Sequence, residues 1–326
     1  MRVLLLGASG LLGHNVLRCL MEEGHRTVAL VRRADAIHFD GDYEVRLGSL
    51  LDYPTLLAAA KGCDAVVNCA GVTDMSLRDY EDYLPVNRDL CSMLSRLLDE
   101  TGIDILVHTS TVNTIGGGTP ERAADESVPM CKPFTSSWYA LSKQEGERLV
   151  LAASRGESRH VVVVNPGYML GPWDVKPSSG RMLLAGYRRR VMAAPSGGKS
   201  FVHVGDVAQA VVNAMTMGRN GARYIAVNNS GNMTIKELYR LQADVMGYRQ
   251  RLVTLPDWLL YAAGAVGDLL RLCGLRTDVS TCNLKQLMVR EYYTAARAVD
   301  ELQMPQTPIA DAIKQFHHWQ TEQPQH

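Results

Sequence analysis

The chain has 326 residues, 46% of them hydrophobic, with 34 basic against 34 acidic side chains and a formal net charge of zero. That length supports one large domain or two closely joined ones with an ample core. The balanced charge, with no long run of one sign, argues against a nucleic-acid binder. Seven cysteines (19, 63, 69, 91, 131, 273 and 282) lie scattered, with no CxxC pair and no Cys/His cluster. They read as reduced thiols of a cytoplasmic protein and not as disulfides or a metal site. The N-terminal apolar run is four residues long and turns straight into glycines, too short for a signal peptide.

In chain order, the first predicted strand covers 3–6 and is followed by GASGLLG and a helix over 11–23. Gly7 suits the tight turn that ends the strand. Gly10 leaves room for a pyrophosphate against the backbone, and Gly13 lets the helix lie close to the sheet. Free amides and the helix dipole there favour an anion, with Ser9, Leu11 and Leu12 beside it. The next strand, 27–31, runs into Arg32 and Arg33. Arg32 stands 19 residues after Gly13, where proteins that take NAD commonly carry an acidic residue for the ribose hydroxyls. Two guanidinium groups suit a 2′-phosphate, so NADP(H) is the preferred cofactor; Asp35 leaves NAD(H) open.

Further strands are predicted over 65–68, 104–109 and 160–165, with helices over 54–61, 79–101 and 138–154. Continuous apolar strands alternating with helices point to an α/β fold, a doubly wound parallel sheet (Rossmann) covered on both faces. Ligands then sit beyond the carboxyl ends of the strands. After Pro166 the rhythm loosens and helices dominate. Residues 1–165 are read as the dinucleotide-binding domain, with 201–228 returning to it. Residues 166–200 and 229–326 form a smaller, mostly helical substrate lobe. Within it, PDWLLYAAGAVGDLLRLCGL is interrupted at Asp268 and Arg271 and is too short to span a bilayer. It reads as an amphipathic packing helix, which argues against membrane association.

The segment SSWYALSKQEGERL places Tyr139 and Lys143 four apart, on one face of a helix. A tyrosine near its ordinary pKa of about 10 is a weak acid partner at neutral pH. A neighbouring ammonium lowers that value, as a nicotinamide cation also does. The fifth strand ends in VHTSTV, whose hydroxyls fall beside this helix and can hold a substrate carbonyl. Thr73, Asp74 and Asn113 lie at the same sheet edge. Tyr168 and Trp173 could wall an apolar pocket, and Arg181 could meet an anionic group.

Together GASGLLG, NCAG, VN at 86–87, the hydroxyl cluster, YALSK, NPGYMLGPWD and FVHVGDVAQAV resemble the extended short-chain dehydrogenase/reductases. The resemblance covers nearly the whole chain. It implies Tyr139 as acid/base, Lys143 as the residue that lowers its pKa and bonds the nicotinamide ribose, and Asn87 shaping the site behind the lysine. It places the substrate hydroxyl on Thr111, with Ser110 also a candidate. Cys69, Ala70 and Gly71 would line the adenosine and ribose, and Leu50 would meet adenine through its backbone. Pro166, Gly167, Tyr168 and Met169 would pass beside the carboxamide. A homodimer through helices 79–101 and 138–154 follows from the same resemblance.

Thr111 is followed by Val112 and Asn113, not by the acidic pair of a dehydratase. The VRR ending and the long apolar segment look more like the dihydroflavonol reductase and hydroxysteroid dehydrogenase side. The expected activity is NADPH-dependent reduction of a small-molecule ketone or aldehyde. A nucleotide-sugar epimerase with tightly held NAD, and a non-catalytic NADP sensor, are the alternatives.

Overall fold

In the computed structural model, which describes residues 1–175, 178–275 and 277–322, the short apolar runs become strands of one parallel sheet. The strands in chain order are β1 (Arg2–Leu6), β2 (Arg26–Val31), β3 (Tyr43–Leu47), β4 (Ala65–Asn68), β5 (Ile105–Thr109), β6 (His160–Pro166), β7 (Tyr168–Leu170), β8 (Val191–Ala194), β9 (Gly198–His203), β10 (Ala222–Ala226), β11 (Asn232–Thr234) and β12 (Arg251–Thr254). The helices are α1 (Leu11–Glu22), α2 (Tyr53–Ala60), α3 (Leu90–Thr101), α4 (Trp138–Ala152), α5 (Gly180–Gly186), α6 (Val204–Asn213), α7 (Ile235–Val245), α8 (Asp257–Leu272), α9 (Thr281–Met288), α10 (Ala296–Leu302) and α11 (Ile309–Glu322).

The main sheet has the order β3-β2-β1-β4-β5-β6-β10, with every neighbouring pair parallel. Successive side chains on a strand face opposite ways, so β1 sends Val3 and Leu5 to one layer and Leu4 and Leu6 to the other. The first layer is closed by α1, α6 and α10, the second by α2, α3 and α4. Each such fully buried leucine contributes roughly 1.5–3 kcal/mol. That two-sided demand is why these strands read as unbroken apolar runs. This is the doubly wound class expected from the alternation. The strand order reverses between β1 and β4, which opens the crevice where such folds take ligands.

One strand escaped the sequence analysis. β3 alternates Tyr43, Glu44, Val45, Arg46 and Leu47 at the sheet edge, with its last three residues exposed. An edge strand covered on one side carries no continuous apolar run. The predicted helix 79–101 is also subdivided. A single 3-10 turn at Tyr80–Asp82 and a π-helical turn at Pro85–Asp89 precede α3.

The second lobe is built on a three-stranded sheet, β11-β9-β7, and a two-stranded parallel ribbon, β12-β8. Its core gathers Leu170, Leu183, Phe201, Leu238, Ile313 and Phe316 from β7, β9, α5, α7 and α11. The lobes are joined at His203, whose Nδ1 accepts from the Gly205 amide at 2.9 Å and whose Nε2 meets Gln315 at 3.0 Å. Between β9 and the small sheet's last strand, α6 and β10 return to the main layers. The α8–α9 hairpin then folds over the carboxyl edge of the main sheet.

Candidate active site

At the end of β1 the backbone turns through Gly7, whose φ of +80° favours glycine. A Cβ there would lie 2.5 Å from the Ala70 amide nitrogen, so β4 and the turn pack backbone to backbone. A Cβ on Gly13 would overlap the Gly7 carbonyl oxygen. Gly10 differs, because only the Gly7 oxygen comes within 4 Å of its would-be Cβ, at 3.5 Å. Gly7 and Gly13 are therefore glycines for the fold, whereas Gly10 keeps open the space at the start of α1. Ser9 and Gly10 are exposed there, and Leu11 and Leu12 begin the helix. A pyrophosphate fits this cradle, where first-turn amides and the helix dipole converge.

Around this crevice Ala70 is buried beneath Gly7, and Cys69 stands against Thr109, whose hydroxyl approaches its Sγ at 3.6 Å. Burial pushes the Cys69 thiol up to about 12, so this wall is neutral. Gly71 is exposed, and its would-be Cβ has the Lys143 Nζ and Asn87 Oδ1 at 3.6 Å, leaving room for a ligand beside the lysine. Arg32 and Arg33 are exposed just beyond β2, and Arg33 pairs with Asp35 at 3.1 Å. Asp35 thus faces the guanidinium that the sequence analysis set it against. Leu50 is half-buried against the α2–α3 layer. Pro166 is buried, and Gly167 passes so close to β9 that a Cβ would sit 2.5 Å from the Ser200 oxygen.

The catalytic candidates meet at the carboxyl edge of β5. Ser137 caps α4 by accepting from the Ala140 amide, which sets Tyr139 in the first turn. The Thr111 hydroxyl beside the Tyr139 phenol favours its ionised form, but burial outweighs this and raises the phenol above its ordinary value. Ser110, in contrast, is buried with its hydroxyl unpartnered. Lys143, one turn on, is buried and donates to the Thr109 carbonyl at 2.7 Å. Burial lowers its pKa, against the pull of Cys91, Glu147 and Cys69. The expectation that its ammonium draws the phenol down is corrected for this state, since Nζ is turned to the end of β5 and burial dominates at Tyr139.

Asn87 lies wholly buried in the π-helical turn. Its side chain accepts from the Val72 amide at 2.8 Å and donates to the Val72 carbonyl at 3.0 Å and the Ser142 hydroxyl at 2.9 Å. It clamps the loop after β4 onto α4 and so positions Gly71 and Lys143. One turn beyond the lysine, Glu147 is buried with Thr114, Asn165 and Arg223 around its carboxylate at 2.8–3.0 Å. This network locks α4 to β6 and β10.

Above Tyr139 opens a cleft of about 430 Å³, walled by Met75, Leu77, Tyr83, Trp138 and the α8–α9 hairpin. Arg271 of α8 and Asn283 of α9 both donate to the Met75 carbonyl, at 2.6 and 3.0 Å. Cys282 approaches the Ser136 carbonyl at 3.3 Å. The hairpin thus roofs the cleft on both sides.

The proposed substrate residues are not the ones that line it. Thr73 is exposed, and the Asp74 carbonyl accepts from the Tyr83 hydroxyl at 2.7 Å. Asn113 is half-buried in the turn after Thr111, its amide donating to the Thr111 hydroxyl. Tyr168 turns into the small lobe, edge-on to Phe201, and its hydroxyl donates to the Ser179 carbonyl at 3.2 Å. Met169, one residue on, packs against the main core instead. Trp173 stacks on His14 at 5.9 Å and meets Phe39 and Trp319, so it seals α1 against the second lobe rather than walling the cleft. Arg181 is an exposed partner of Asp278 at 3.5 Å. Of the residues missed, Trp138 lay beside Tyr139 in the sequence, which was the available signal. Tyr83, Met75 and the hairpin carried none.

A doubly wound sheet with a glycine cradle at β1 and a tyrosine–lysine pair at the edge of β5 defines an NAD(P)-dependent enzyme of the extended short-chain dehydrogenase/reductase type. The chain belongs to the NAD dependent epimerase/dehydratase family, whose profile matches residues 3–228. It is 29% identical over 323 residues to a Synechocystis protein that carries the name dihydroflavonol 4-reductase, covering 96% of this chain and 92% of the relative. It is likewise 29% identical to the sterol demethylase protein B of Methylococcus capsulatus, with 82% and 81% coverage. The crystal structure of the protein gox2253 superposes with a TM-score of 0.82 at 28% identity, over 98% of both chains. Relatives of this chain therefore include named reductases, and no helix among the described residues is long and apolar enough to cross a membrane.

Proposed function

We propose that the protein is an NADPH-dependent reductase of an apolar ketone or aldehyde. The observation that carries this reading is Tyr139 in the lining of the cleft, with the Thr111 hydroxyl near enough to act on its phenol and Lys143 one turn on along α4. A dinucleotide in the β1–β4 crevice would rest its pyrophosphate at Gly10 and its ribose near Gly71 and Lys143, and it would supply a hydride. The Thr111 hydroxyl then holds the substrate oxygen, and the Tyr139 hydroxyl gives it a proton as the carbon accepts the hydride. The phenol is neutral at pH 7 at its ordinary value of about 10, and burial raises it further, so it is in the protonated form a donor needs.

The preference for NADPH rests on Arg32 and Arg33 at the end of β2. The apolar walls Met75, Leu77, Tyr83 and Trp138 favour a greasy substrate, in keeping with the names of the flavonol and sterol relatives. All seven cysteines are free thiols, which suits the cytoplasm. Homodimerisation through α3 and α4 is part of the same reading.

The test is a carbonyl panel followed by NADPH absorbance. Arg32→Ala should narrow the NADPH over NADH preference by at least about tenfold; an unchanged ratio would remove the cofactor assignment. Denatured protein should release no stoichiometric NAD, whereas a nucleotide-sugar epimerase would.

A further inference from the structure

The inner side of α8 is closely packed. A Cβ on Gly264 would lie 2.8 Å from the Thr281 backbone, and one on Gly267 would overlap the Val279 carbonyl oxygen. The outer side is bare. Trp258 is 69% exposed, Val266 59%, Leu269 60% and Leu272 81%. The helix has two carboxylates, and neither breaks this face. Asp257 accepts from the Ser196 hydroxyl at the first turn, and Asp268 accepts from the Thr281 amide on the inner side. Isolated apolar residues on a surface are ordinary, whereas a contiguous helical face of this kind marks an interaction site.

The ribbon that leads into α8 supplies the second observation. β8 and β12 pair in parallel with Arg251 opposite Val191, and the Arg251 amide donates to the Arg190 carbonyl at 2.9 Å. Arg188, Arg189, Arg190, Arg249 and Arg251 are all exposed there. In a chain of zero net charge this is a concentrated cationic patch. Val191 and Val253 stand exposed on the same ribbon, leading towards Trp258.

Against the sequence expectation that this segment only packs, we propose that the outer face of α8 and this arginine ribbon dock the protein on the surface of an anionic lipid bilayer. A helix with tryptophan and leucine on one side, joined through an exposed ribbon to a basic cluster at the ribbon's far end, combines the apolar burial and headgroup attraction that interfacial binding needs. At 16 residues α8 lies on a membrane and does not span it. A two-fold copy of the chain covers the face less well, because an isologous contact sets the same cationic ribbon near itself. The inner side of α8 carries Asp268 and Arg271 into the wall of the Tyr139 cleft, so docking brings the cleft next to the lipid phase. Direct supply of a bilayer-dissolved carbonyl to that cleft rests on the reductase reading; the docking itself does not.

The test is cosedimentation of the full chain with vesicles of equal parts phosphatidylcholine and phosphatidylglycerol, or of phosphatidylcholine alone. Wild type should pellet with the mixed vesicles, less with the neutral ones, and less again at high salt. Leu269→Ser with Leu272→Ser, and separately Arg188→Gln with Arg189→Gln and Arg190→Gln, should each weaken binding by at least about tenfold. Both should reduce a water-soluble carbonyl at the wild-type rate without vesicles, which separates loss of docking from loss of the active site. Wild type remaining in the supernatant, or variants that pellet like wild type, would overturn the proposal. So would a concentration-dependent dimer, without vesicle binding, that the leucine variant dissociates.

Discussion

The glycine turn after β1 and the cleft above Tyr139 are built by opposite means. The turn is local: three glycines within seven residues and the first turn of α1 make it, and backbone contact with Ala70 closes it. The cleft is assembled from far apart in the chain, with Met75 held by Arg271 and Asn283 across about two hundred residues. A local device is fixed by steric exclusion and changes all or none. A long-range roof is held by a few hydrogen bonds and can be altered in steps. In the proposed reading the first serves the cofactor and the second the substrate.

Substitutions at the glycines should break the comparison most sharply. Gly13→Ala forces a methyl group into the Gly7 carbonyl, so melting should report a loss of about 3 kcal/mol or more. Gly10→Ala meets only ordinary contact, so stability should hold while NADPH affinity, measured by fluorescence titration, falls at least about tenfold. Equal effects at the two positions would erase the distinction between fold glycine and ligand glycine.

Acid should loosen the second lobe through His317. Gln242 donates to its Nε2 at 2.8 Å, its ring stacks on Tyr187 at 4.2 Å, and burial lowers it to about 4. The unfolded chain binds that proton near the ordinary value of about 6.5. Between the two values the unfolded state therefore holds more protons, and stability rises with pH. The contribution, about 3 kcal/mol, is complete above pH 6.5 or so and is lost as pH falls towards 4. Urea midpoints at pH 7 and 4.5 should converge in His317→Gln relative to wild type, although buried His108, also well below its ordinary value, keeps some acid sensitivity in the main sheet.

Asn87→Ala removes the three hydrogen bonds that tie the π-helical turn to the loop after β4 and to α4, and should cost about 2 kcal/mol in chemical denaturation. The smallest effect is expected from the roof. Arg271→Ala leaves the Met75 carbonyl to Asn283 alone, so KM for the carbonyl should rise severalfold with kcat and NADPH affinity nearly unchanged. A fall in kcat alone would place Arg271 in the chemistry instead.

The same contrast explains what could be read from the sequence. Gly7, Gly10 and Gly13, and the pair Tyr139 and Lys143, declare themselves because turn geometry and helical spacing act over a few residues. β3 stayed hidden because Val45 and Leu47 face solvent on an edge strand. Trp173 was drawn towards the cleft by its place after β7. At a positive φ of 71° the chain there turns back on α1, and the ring finds His14 instead. No spacing rule links Tyr83 to α9, so the residues over the reacting group emerge only from the tertiary fold.

The most direct measurement is single-turnover hydride transfer from NADPH to an accepted carbonyl in Tyr139→Phe, with NADPH affinity measured alongside. The account predicts a rate at least about a hundredfold lower with affinity retained, because the phenol acts on the substrate and the cofactor rests on the glycine turn. Hydride transfer at the wild-type rate would contradict it.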